Sequence, residues 1–74
     1  MLVVLNLMEL RRRARITQQE LAAAIGLRSD QTVSDWESGK RIPRLTPEQT
    51  YVICQVLNCS LEEFKNAFPR KLTA

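Results

Sequence analysis

The segment from Thr17 to Gly39, TQQELAAAIGLRSDQTVSDWESG, packs two sets of helix start and stop signals into one short stretch. That spacing predicts two short helices joined by a turn of about three residues. Thr17 and Glu20 form a capping box, in which the Thr hydroxyl accepts from the Glu20 amide and the Glu carboxylate accepts from the Thr amide, so the first of the pair starts at Gln18. Leu21, Ala22 and Ile25 supply its apolar face, and Gly26 supplies the left-handed residue that ends it. Ser29 is a favoured N-cap for the second helix, about residues 30–38, which stops at Gly39. Val33, Trp36 and Glu37 are spaced to face inward, leaving Gln31, Ser34, Asp35 and Ser38 outward. The layout is a helix-turn-helix, and an outward face of short hydrogen-bonding side chains is one that a DNA major groove accepts.

A chain of 74 residues is read as a single domain, 1–74, whose core contributes only a few kcal/mol net, so strong local signals matter. The net charge of +3 is only mildly basic, and its distribution is more telling. Arg11, Arg12, Arg13 and Arg15 crowd the end of a first helix, while Lys40, Arg41 and Arg44 follow the outward polar face, so basic groups flank it. Cys54 and Cys59 are the only cysteines and there is no His, so neither a zinc site nor a redox CxxC pair is supported, and no cofactor is implied. Both are expected to be reduced thiols of a cytoplasmic protein, Cys54 within the apolar run YVICQVL and Cys59 just past it. The opening MLVVLNLMEL lacks a basic n-region and is too short to span a membrane, so neither export nor a membrane partner is expected.

N-cap signals at Asn6, Thr17, Ser29, Thr46 and Ser60 predict five helices, and all but Ser29 have Glu or Gln three residues on. Pro47 suits the first position of the fourth, which should run to about Leu57 with Ile53, Val56 and Leu57 inward and Asn58 as its left-handed terminator. The last helix carries Leu61, Phe64 and Phe68 and closes at Pro69, leaving 69–74 as a short tail. Residues 1–5 form an apolar arm that is either an early start to the first helix, with Val3 and Leu7 toward the core, or an extended segment. Leu2 to Leu5 are in either case more apolar than a small monomer readily hides, which points to a partner surface.

From Leu7 to about Phe68 the chain resembles the Cro/cI-type helix-turn-helix family, or XRE family, which includes phage repressors and bacterial regulators. The matching stretches are LRRRARITQQELAAAIGL, TVSDWESGKRIP and LNCSLEEF. The resemblance implies an all-α fold, a compact five-helix bundle of the lambda repressor-like type, with the second and third helices as the reading unit. It further implies that Ser29, Asp30, Gln31, Thr32, Ser34 and Asp35 read bases or hold phosphate, and that Gln18, Ser38, Lys40 and Arg41 meet the phosphate backbone. A buried carboxylate needs a partner, and the family often pairs the Glu matched by Glu37 with the Arg matched by Arg11. Arg11 is then structural, while Arg12, Arg13 and Arg15 are either phosphate ligands or solvated surface.

Two departures from the family pattern stand out. One extra residue lies between Gly26 and Glu37, which enlarges the turn GLRSD, and the reading helix carries two acids that phosphates repel. Asp30 complements the helix dipole. Asp35 either accepts from a cytosine N4 amino group or marks a surface that meets something other than DNA. Trp36 is expected to be buried against the first helix rather than stacked on a base.

Three classes of function follow. The first is a sequence-specific transcription regulator, a repressor-like homodimer on double-stranded DNA with two-fold symmetry, regulated by concentration or by a protein partner such as a toxin. The second is a protein-interaction module, antitoxin-like or an adaptor, that retains the fold with weak or no DNA binding. An enzyme fits worst, since the chain has no His, no metal cluster and no glycine-rich phosphate loop.

Overall fold

The N-cap hydrogen bonds explain where the helices begin. In the computed structural model, which describes residues 5–68, these are α1 (Leu7–Arg13), α2 (Gln18–Ala24), α3 (Gln31–Ser38), α4 (Pro47–Leu57) and α5 (Leu61–Asn66). Reciprocal capping boxes form at Asn6 with Glu9, Thr17 with Glu20, Thr46 with Gln49 and Ser60 with Glu63. Asn6 is in an extended conformation, so α1 has no early start before its cap. Leu5 packs against the core without helical structure, and the rest of the proposed arm, 1–4, lies outside the described residues, as does the tail 69–74.

The connection between α2 and α3 is longer than the turn of about three residues expected, running from Ile25 to Asp30. Its cause is local. Gly26 turns left-handed at φ 81°, Leu27 N–H then returns to the Ala22 carbonyl at 2.9 Å, and the chain needs Arg28 and Ser29 to reach the next cap. Asp30 makes no capping bond with its side chain; Ser29 Oγ accepts from the Gln31 amide at 3.0 Å instead, so the serine caps as its type predicts.

Four helices end alike. Arg15, Gly26, Gly39 and Asn58 all have positive φ, and in each case the next residue's amide bonds a carbonyl five residues back. Gly and Asn are favoured there, whereas Arg15 at φ 60° accepts a conformation that costs an L side chain about 1 kcal/mol or more.

The core gathers Leu7 and Leu10 of α1, Leu21, Ala22 and Ile25 around α2, Val33 and Trp36 of α3, Ile53 and Leu57 of α4, and Phe64 and Ala67 around α5. Trp36 is therefore buried as expected, Val56 only half so, and Leu61 points to solvent. Because α3 packs against both α1 and α2, only its opposite face is left for a partner. Gln49 ties the end of α2 to α4: its Oε1 accepts from the Thr46 amide while its Nε2 donates to the Ile25 carbonyl at 3.2 Å. Among the described residues, no helix is long and apolar enough to cross a membrane.

Candidate nucleic-acid interface

The inner side of α3 is held by a carboxylate. Arg11 Nε donates to Glu37 Oε2 at 2.6 Å and Arg11 Nη2 to Oε1 at 3.3 Å, with only 9% of the Glu37 side chain exposed. A third guanidinium donor, Nη1, reaches the Ile16 carbonyl at 3.0 Å. Gln18 completes the cluster, its Nε2 donating to Glu37 Oε1 at 2.9 Å. The Arg11–Glu37 pair is thus present as expected. The Gln18 side chain is half-buried with its amide nitrogen engaged by Glu37, an arrangement that depends on tertiary packing and had no sequence signal.

The outer side presents Gln31 and Ser38 to solvent, with Thr32, Ser34 and Asp35 half-buried beside them. Ser29 and Asp30 are exposed at the entry to the helix, and Lys40 and Arg41 at its exit. Helix and loop are stitched together at Asp35, whose carbonyl accepts from Ser38 Oγ at 3.1 Å and from the Lys40 and Arg41 amides at 2.9 and 3.2 Å. Its carboxylate bridges two groups: Gln31 Nε2 donates to Oδ1 at 3.0 Å, and Arg41 Nε lies 3.6 Å from Oδ2. The charge that makes Asp35 an awkward neighbour for phosphate is therefore already paired. Thr32 lines a groove with Trp36, Lys40, Arg41 and Arg44 between α3 and the following loop.

Arg12, Arg15, Arg28 and Arg44 are exposed cations. Arg13 is drawn elsewhere: Nη1 donates to Glu63 at 3.1 Å and Nη2 to the Asn58 carbonyl at 3.4 Å, linking α1 to α5. That bond holds the Glu63 carboxyl below the usual carboxylate range. On the same side, burial pushes both thiols up, Cys59 to about 11 with a further contribution from Cys54. Both cysteines are free and half-buried, packed against the core at the end of α4.

Comparison with curated proteins gave no match, and neither did comparison with solved structures. A helix-turn-helix family model does match, over residues 7–64, which takes in α1 to α4, the first four residues of α5 and most of the chain. A capped five-helix bundle, a third helix fixed from within by an Arg–Glu pair and free on its outer face, and this match together place the chain in the Cro/C1-type helix-turn-helix (XRE) family of DNA-binding regulators.

Proposed function

We propose that the chain is a sequence-specific transcription regulator that lays α3 in the major groove of duplex DNA and binds a two-fold operator as a homodimer. The observation that carries this reading is the outer face of α3, where Gln31, Ser34 and Ser38 form a hydrogen-bonding surface bordered by the exposed cations Lys40 and Arg41. Base edges are read by such side chains, while Lys and Arg supply affinity by displacing counterions from phosphate. The pairing of Asp35 with Arg41 supports the reading over an interaction module, because the acid that argued against DNA is internally compensated.

A single reading helix covers few base pairs, and selectivity over a genome asks for two half-sites about one helical turn apart. Two surfaces are candidates for the homodimer. The Leu2–Leu5 arm lies outside the described residues except for Leu5. The surface around Phe68 has support: Ile42 and Leu61 are 64% and 63% exposed, and together with Pro43 and Phe64 they line an apolar groove there.

Selection of bound fragments from random duplexes, followed by affinity measurements across a salt series, tests the function. Binding should weaken steeply with salt. Gln31→Ala should cost about 1–3 kcal/mol on the selected site while sparing non-specific binding, whereas Lys40→Ala should weaken all sequences alike. If no duplex binds at low salt, the proposal fails. Sedimentation of Leu61→Glu against the wild type tests the dimer; a monomeric wild type together with a selected site lacking two-fold symmetry would refute it.

A further inference from the structure

We infer that Asp35 is a positioning residue that makes Gln31 read adenine and reject guanine. The inference rests on the proposed reading of the major groove by α3. An ionised carboxylate only accepts hydrogen bonds, so the Gln31 group turned toward Asp35 Oδ1 must be the amide nitrogen, 3.0 Å away. One of the two Nε2 hydrogens is thereby committed. With the hydrogen trans to Oε1 given to Asp35, what remains for a partner is one donor and one acceptor, side by side at the edge of the amide.

The bases differ in what they ask of such an edge. Adenine offers an acceptor at N7 and a donor at N6, which the remaining pair on Gln31 matches. Guanine offers two acceptors, N7 and O6, and a glutamine satisfies both only by turning both amide hydrogens toward the base. Asp35 forbids that turn, since it would bring Oε1 against the carboxylate or leave the carboxylate without its donor. The acid is held in place to act this way. Its side chain is only 13% exposed, Arg41 Nε approaches the second oxygen at 3.6 Å, and its carbonyl is tied to Ser38, Lys40 and Arg41. Arg41, itself 71% exposed, also offsets the negative charge that the device brings to a phosphate-facing surface.

The test uses the full chain and duplexes carrying the selected site, with each A·T pair of a half-site changed in turn to G·C. The wild type should prefer adenine at one position by roughly 5- to 150-fold, the range for one good bidentate contact, and Gln31→Ala should abolish that preference. Asp35→Asn preserves shape but can donate as well as accept, and Asp35→Ala removes the partner. Both should reduce the preference to about twofold or less, even as the loss of a negative charge strengthens non-specific binding. A role in folding alone would not move the base preference while leaving binding intact.

Retention of full discrimination in both Asp35 variants would overturn the inference and leave the regulator reading standing. A wild type that binds no duplex would overturn both. A second measurement needs no DNA: in the free protein, the Gln31 side-chain amide proton given to Asp35 should be shifted and exchange more slowly in the wild type, and in Asp35→Ala both amide protons should return to the values of a solvated glutamine. Identical spectra in the two proteins would also refute it.

Discussion

Two acids on α3 stand two positions apart and are dressed almost identically, each with one arginine and one glutamine. Glu37 faces the bundle and binds Arg11 and Gln18; Asp35 faces outward and binds Arg41 and Gln31. What separates them is the solvation of the arginine, since the Glu37 and Asp35 side chains are themselves 9% and 13% exposed. The Arg11 and Glu37 side chains are 14% and 9% exposed, so their charges have lost much of their hydration and depend on one another. Arg41 remains in water, where an ion pair adds little to stability but still orients its partners. An acid, an arginine and a glutamine therefore form a buried structural lock on one face of the helix and, in the proposed reading, an adjustable recognition element on the other.

The comparison is broken or sharpened by a graded series. Arg11→Ala should have the largest effect, a loss of about 3–5 kcal/mol that unfolds much of so small a domain, because it strands Glu37 without its counter-charge. A thermal melt close to wild type would show that Glu37 does not depend on Arg11. Gln18→Ala removes one hydrogen bond to the same carboxylate and should cost about 1.5–3 kcal/mol by denaturant titration. Arg15→Gly should act in the opposite sense. It relieves the left-handed arginine in the turn that presents the Ile16 carbonyl to Arg11, and a gain of about 0.5–1 kcal/mol is expected; a loss would mean that the Arg15 side chain supports the turn. Smallest are Arg41→Ala and Gln31→Ala, each within about 0.5 kcal/mol of wild type. A larger loss from either would make Asp35 a second structural lock and erase the distinction between the two faces.

Much of the fold was legible because its signals are local. A capping box lies within four residues, and Asn6, Thr17, Thr46 and Ser60 all form theirs. Gly26, Gly39 and Asn58 announce their left-handed turns by residue type, whereas Arg15 does not. The outward face of α3 was also legible from periodicity. The roles within it were harder to read, because they depend on chain reversal. Asp35 appeared as an unexplained acid, since its pairing with Arg41 exists only after Gly39 has turned the loop back along the helix. For Gln18 the resemblance implies a phosphate contact, and the bond of its amide to Glu37 exists only when α2 and α3 have packed.

The choice of glutamine rather than glutamate at position 49 has a consequence for how the molecule opens. A glutamate would complete the same capping box but would have no hydrogen to give the Ile25 carbonyl, whereas Gln49 joins the start of α4 to the end of α2. Fraying at either end then disturbs the other, so the amides of Leu27, just beyond α2, and Thr50, in the first turn of α4, should exchange with solvent through one shared opening event. The reading unit is coupled to the bundle in time as well as in space. Gln49→Glu should let the two segments open independently.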